Sequence, residues 1–255
     1  MLRTLAVALT ALLFAVPLSA QDDRLDDLDF EEVPISNEVV PYFAIGVGPA
    51  FTFSFLPMDD INARAAELGM GKGSSPMVLY GAEVFSAIGF IPNVRAGFSW
   101  MSGLDKQTIS VAGSTPAVER SLEHAVSMSA VHVDYAIVVA KGLALAPGIG
   151  LGWGTQSITS YQSQGTRNWS DYDSISVAPD MYSEVSHSVL YIPARLNIEY
   201  AVTPFIAVRA QAGYTLQVSE GEWMGNRTAV VSGVPSGISL NAFNAQIGLF
   251  VGLFN

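Results

Sequence analysis

The chemistry this chain could carry starts from its three histidines, His124, His132 and His187. His187 is flanked by Ser186 and Ser188, with Glu184 three residues before it. His124 follows Glu123 directly and lies near Ser121. A base, a hydroxyl and an orienting acid are the ingredients of nucleophilic catalysis. Serine is common in these segments, however, so such neighbours arise by composition alone, and the expectation is a protein with no catalytic site. Metal ligation has one candidate, Trp169-Ser170-Asp171-Tyr172-Asp173, whose acids could hold a weak Ca²⁺. It lacks the glycine and the closing glutamate of a calcium loop and reads better as a solvated acidic loop, so no metal and no cofactor are expected. Gly148, Gly150, Gly152 and Gly154 resemble a nucleotide loop only superficially. A spacing of two puts them on one face of a strand, whereas a phosphate cradle needs a turn before a helix. With no cysteine, disulfides, thiolate metal sites and thiol nucleophiles are excluded.

A second set of residues is more coherent. Glu83, Asp134 and Glu199 stand against Arg95, Arg195 and Arg209, with His132 near them. The assigned members of the set fall on the small or polar side of alternating stretches. If that side is an interior, the charges must pair, because a lone buried charge is very costly. The expected arrangement is a lumen charge network acting as a salt-bridge plug. A gated narrow pore and a proton-coupled site are the sharper alternatives.

The elements that would position these residues are strands. Eight stretches alternate with period two: 41–55, 76–85, 94–101, 124–139, 143–155, 186–201, 205–218 and 240–254. Their connections alternate in length. Three are short, at 89–93, 140–142 and 202–204; four are longer and rich in Gly, Ser, Asp, Asn and Thr, at 56–75, 102–123, 156–185 and 219–239. Ile61–Leu68 within the first long loop predicts a short helix.

One face of each assigned stretch is apolar: Phe43, Ile45, Val47, Phe51 and Phe53; Val131, Val133, Tyr135, Ile137 and Val139; Leu190 to Tyr200 by twos; Ile206 to Val218 by twos; Ile247, Leu249, Val251 and Leu253. The other face alternates Gly and Ala with isolated charges. A soluble barrel would turn its apolar face inward around a greasy cavity. Its exterior would then need many Lys and Glu, and this face has few. Small residues gain nothing on a solvent face. Inside an eight-stranded lumen they make room for long side chains. Tyr42, Tyr80, Trp100, Tyr135, Trp153, Tyr191, Tyr200 and Tyr214 lie near strand ends, where aromatic girdles meet membrane interfaces.

The 255 residues are 50% hydrophobic and 14% charged, with a net charge of −11. That composition excludes a disordered chain and makes a nucleic-acid partner unexpected. Met1–Ala20 carries Arg3, an apolar run and a Leu18-Ser19-Ala20 end, the pattern of a secretory signal peptide. Residues 21–39 hold Asp22, Asp23, Asp26, Asp27, Asp29, Glu31, Glu32 and Glu38 against Arg24 alone, an expected flexible acidic segment. Residues 40–255 are the expected barrel domain.

On this alternation of strands, turns and faces, the chain resembles the small bacterial outer-membrane β-barrel families, including the OmpA transmembrane domain and the PorT-like group. The resemblance implies an eight-stranded antiparallel up-and-down transmembrane barrel, with short periplasmic turns and longer extracellular loops. It implies residence in the cell outer membrane, outer-membrane lipid around the barrel, and assembly by the barrel-assembly machinery through the C-terminal strand. That strand departs from the family pattern, because Phe254 is followed by Asn255. The implied role is non-enzymatic, structural or surface-interacting. A narrow channel or small hydrophobic-molecule transporter is the first alternative, and a lipid A-modifying enzyme the second. Against the enzyme, Ser abuts His187 directly, whereas the deacylases of that architecture carry His-x-Ser.

Overall fold

A computed structural model describes residues 42–111, 113, 118–163 and 181–255. Period-two sequence produces antiparallel strands here, and eight of them close on themselves. They are β1 (Ala44–Phe55), β2 (Met77–Ala87), β3 (Val94–Val111), β4 (Val118–Tyr135, resuming after Ala136 as Ile137–Ala140), β5 (Leu143–Ser163), β6 (Met181–Thr203), β7 (Ile206–Glu220) and β8 (Ala242–Phe254). Each pairs with its neighbour in sequence, and β8 pairs with β1, from Ala44 opposite Phe254 to Phe55 opposite Phe243. Over the span where all eight strands pair, closure leaves no edge, so the backbone there is hydrogen-bonded without help from solvent, as a lipid-embedded sheet requires. Beyond Ser102, β3 has β4 on one side only.

The faces follow residue parity. In β1, Ile45, Val47, Phe51, Phe53 and Phe55 are exposed, while Ala44, Gly46, Gly48, Ala50, Thr52 and Ser54 are buried. In β8, Ile247, Leu249, Val251 and Leu253 face out, and Gln246, Phe250 and Phe254 face in. The exterior is therefore a continuous apolar belt around a polar and small-residue interior. This is a transmembrane barrel, because water would not solvate such a belt and lipid does. Tyr80, Trp100, Tyr135, Trp153, Tyr200 and Tyr214 stand outward on it. Tyr42 and Tyr191 do not: they share parity with Ala44 and Arg195, and both are buried inside the lumen.

Strand ends at one side are tight. Asn93, with φ of 63°, closes the β2–β3 turn, and its side chain accepts a hydrogen bond from the Tyr42 amide at 3.0 Å. Lys141-Gly142 turns β4 into β5, and Pro204-Phe205 turns β6 into β7.

The other side differs from expectation. Residues 102–111, 118–123, 156–163 and 181–185 are strand, not loop. β3 to β6 are 18, 18, 21 and 23 residues long, against about 9–11 needed to cross a bilayer. Above Trp153 the outward residues become Thr155, Ser157 and Tyr161 on β5, and Ser188, Ser186 and Glu184 on β6. The outward face of the extension is largely polar, while its inward face mixes Ile109, Leu122 and Ile158 with Gln107, His124 and Gln156. The outward apolar alternation therefore fades although the hydrogen-bonded ladder continues, as in Asp105 opposite His124.

The first long connection forms a helix, α1 (Asp59–Glu67), as expected, with Ile61 and Ala65 buried. It is not a purely polar loop. Leu56, Met58, Ile61, Ala65 and Met70, with Ile238 and Leu240 from the last connection, pack on Leu122, Val126 and Val189 of the wall. The mouth is thus closed by an apolar cap. Residues 1–41, which contain the signal-peptide pattern and the acidic segment, and residues 169–173, the calcium candidate, lie outside the described residues.

Candidate functional site: the charged lumen

Seven inward positions converge below the cap. β2 supplies Glu83, β3 Arg95, β4 His132 and Asp134, β6 Arg195 and Glu199, and β7 Arg209. Register brings them together: Arg95 lies opposite Asp134, and Glu199 opposite Arg209. All seven are at most 8% exposed.

The arginines share the carboxylates. Arg95 donates from Nε to Asp134 Oδ2 at 2.9 Å and from Nη1 to Glu199 Oε2 at 2.8 Å. Arg195 donates to both oxygens of Asp134, at 2.9 and 2.7 Å, and to Glu83 Oε1 at 3.2 Å. Arg209 bonds Glu83 Oε1 at 2.7 Å and Glu199 Oε2 at 2.7 Å. Every arginine thus touches two carboxylates and every carboxylate two arginines, a closed ring of three and three. Charge-assisted, partly bidentate contacts of this kind are the strong class of hydrogen bond. His132 Nε2 lies 3.1 Å from Glu83 Oε1.

Sequence reasoning missed the ring's support. The Tyr42 hydroxyl donates to Glu199 Oε1 at 2.6 Å and accepts from Arg95 Nη1 at 2.9 Å. Phe85 and Phe250 meet edge to face at 5.3 Å between centroids. The Arg209 guanidinium sits 4.0 Å from the Phe85 centroid and 4.3 Å from that of Phe250. Phe254 joins this aromatic floor. The available signal was parity: Tyr42 with Ala44, Phe85 with Glu83, and Phe250 and Phe254 with Gly248.

Room for the ring comes from the glycine row of β5. A Cβ on Gly148 would strike the Asp134 carboxylate, and one on Gly152 would strike the Tyr191 ring. The alternating glycines are therefore an inner wall that accepts the long residues of β4 and β6.

The two histidine clusters weighed for catalysis do not assemble. Adjacent strand residues point to opposite faces. His187 is buried inward, while Ser188 is exposed outward and Ser186 shares that outward face. His187 Nε2 instead lies 3.2 Å from Gln156 Oε1, and its ring stacks on Trp223 at 3.7 Å. His124 Nε2 lies 2.9 Å from the other end of the same amide, Gln156 Nε2. Glu123 faces outward to Lys106 at 3.0 Å, and the Ser121 hydroxyl pairs with that of Thr108 at 2.8 Å. Among the described residues, no group of three or more His, Asp or Glu side chains is placed to hold a metal ion.

No protein-family model matches the chain, and no curated protein does. Solved structures are similar in fold. A major outer membrane protein from Thermus thermophilus shares 9% identity with a TM-score of 0.46, over 83% of this chain and 99% of that one. Ail, the attachment invasion locus protein of Yersinia pestis, shares 9% identity with a TM-score of 0.36, over 84% and 99%. The N-terminal β-barrel domain of Pseudomonas aeruginosa OprF shares 10% identity with a TM-score of 0.34, over 82% and 97%. Likeness at this level carries no argument about role, and the barrel rests on its own hydrogen-bonded closure.

Proposed function

We propose that this chain is a non-enzymatic outer-membrane barrel with a structural or surface-interaction role, its lumen sealed by paired charges. The observation that carries the reading is the ring of Arg95, Arg195 and Arg209 with Glu83, Asp134 and Glu199, in which each charge has two opposite partners. An ion passing through would have to break such contacts in a desolvated layer, where each costs several kcal/mol. The apolar cap above and the Phe85–Phe250–Phe254 floor below add two further barriers.

In this reading the tight turns face the periplasm, and the long staves of β3 to β6 stand above the outer leaflet. Those staves, with α1, present the surface for an external partner. Outer-membrane lipid surrounds the belt, and the barrel-assembly machinery receives β8. Membrane fractionation and solute efflux from proteoliposomes test the proposal together. The expected result is recovery in the outer-membrane fraction, heat-modifiable migration, and no efflux of small sugars or ions above empty vesicles. Recovery as a detergent-free periplasmic monomer, or steady efflux, would overturn it.

A further inference from the structure

Above the belt, the extended sheet of β3 to β6 ends in two edges, and the chain treats them differently. At β6 it closes the edge itself. Val185 and Ser186 pair with Gly225 and Met224, the Asn226 amide donates to the Glu184 carbonyl at 2.8 Å, and the Glu184 amide donates to Asn226 Oδ1 at 2.9 Å. At β3 the edge is left open. The Val94 carbonyl accepts from the Ile88 amide, on the side of β2, at 2.8 Å, and the Asn93 carbonyl accepts from the Ala136 amide, on the side of β4, at 2.7 Å. Backbone groups alternate sides along a strand, and the β3–β4 register runs unbroken to Val111. Even-numbered residues of β3 therefore turn their N–H and C=O toward β2. The β2 ladder stops at Tyr80 opposite Ser102. Lys106, Thr108 and Ser110, all exposed, hold these groups to the open side, with no backbone partner among the described residues.

We infer that this open edge, residues 106–110 of β3, docks an extended, positively charged peptide segment of an external protein as an added strand. A row of alternating backbone donors and acceptors is matched by another backbone. The usual guards against such pairing are missing. Residues 103–111 contain no proline, and no bulge interrupts their ladder. Lys106 could repel a newcomer, but its ammonium is drawn away from the edge, to Glu123 of β4 at 3.0 Å and to the Tyr161 hydroxyl of β5. Charge sets the sign of the partner. The described residues within 56–76, 102–123, 156–188 and 219–241 carry nine carboxylates against five Lys and Arg side chains. One of the nine, the exposed Glu119, stands opposite Ser110, one strand in from the edge. A second copy in the same membrane does not fit. A two-fold axis along the membrane normal would cross two strands tilted by about 40° at about 80°, instead of laying them side by side. The inference rests on the surface-interaction reading and narrows it. Docking is measured apart from conductance and membrane residence, so it can fail while the sealed barrel stands.

The probe is a short synthetic peptide of alternating threonine and lysine, offered to the full chain in nanodiscs of zwitterionic lipid. Fluorescence anisotropy should show saturable binding, weakened about tenfold by Thr108→Pro, which removes one outward N–H and leaves the hydrogen bonds to β4 in place. Ser110→Pro is a second variant of the same kind, and unchanged unfolding midpoints check that both fold. On binding, hydrogen exchange should slow at the Lys106, Thr108 and Ser110 amides and stay as it was at Gln107 and Ile109, which already face β4. The same peptide with glutamate in place of lysine should not bind. Absence of binding, equal affinity for wild type and both proline variants, or unchanged exchange at all three edge amides would overturn the inference.

Discussion

Arg195 holds Asp134 by two hydrogen bonds, Nε to Oδ1 at 2.9 Å and Nη2 to Oδ2 at 2.7 Å, and Oδ2 also takes Arg95 Nε at 2.9 Å. One carboxylate thereby ties β3 to β6 across the lumen, two strands that share no ladder. Replacing the whole ring by well-packed apolar groups need not destabilise the barrel, because burying ions costs about what their attraction returns. Removing one member is different. Asp134→Asn leaves two arginines short of a partner and should cost about 3–5 kcal/mol. Equilibrium unfolding in urea from lipid vesicles measures it. A double-mutant cycle with Arg195→Met should recover part of the loss.

The face assignment predicts a contrast in cost. Leu196 is outward in the middle of the apolar belt, midway between Leu190 and Val202, and Leu196→Arg should destabilise by about 2–4 kcal/mol. Ser127 is outward on the extension above the belt, and Ser127→Arg should cost about 0–1 kcal/mol. Equal losses in the same vesicle-unfolding assay would mean that the belt does not end near Trp153.

The glycine wall predicts a steric effect on electrostatics. Gly148→Ala places a methyl against the Asp134 carboxylate and should cost about 1–3 kcal/mol by forcing the ring apart. Gly89→Ala, at a turn position with open space around it, should be nearly neutral. Thermal unfolding of the two variants side by side separates them.

The cap predicts stability without conduction. Ile61 is 2% exposed between α1 and the barrel wall, and Ile61→Ala should cost about 2–5 kcal/mol. Ion conductance should stay at the wild-type level, because the charge ring beneath is untouched. Conductance that rises with Ile61→Ala would make the cap, and not the ring, the seal.

Much of this fold is legible in the residues. Val131, Val133 and Tyr135 against His132 and Asp134 give both the strand and its inner face, because lipid on one side and lumen on the other impose opposite chemistry on alternate positions. The same logic explains the misreadings. Lys106, Glu123, Thr155 and Ser186 lie where water replaces lipid, so the outward face is no longer apolar, and with Leu122 and Ile158 mixed among polar residues inside, the extended ladder leaves no clean alternation. Tyr42 and Tyr191 read as girdle residues by type, but parity turned them inward. The seven charged or titratable lumen residues were legible because a charge on a barrel's small-residue face has nowhere to go but to another charge. Which arginine meets which carboxylate was not, because that depends on strand stagger across the lumen. The aromatic floor was hidden for another reason: Phe85 and Phe250 break the small-residue rule of the inner face, at the end where the lumen closes.

Single-channel recording in planar bilayers tests the central claim most directly, on the wild type and on Glu199→Gln. Glu199 holds Arg95, Arg209 and the Tyr42 hydroxyl, so its neutralisation loosens the ring at a carboxylate that two arginines share. A sealed lumen predicts wild-type conductance indistinguishable from bare bilayer, and discrete openings only in the variant. Steady conductance of the wild type, with Glu199→Gln altering only its ion selectivity, would contradict the account and make the protein a pore.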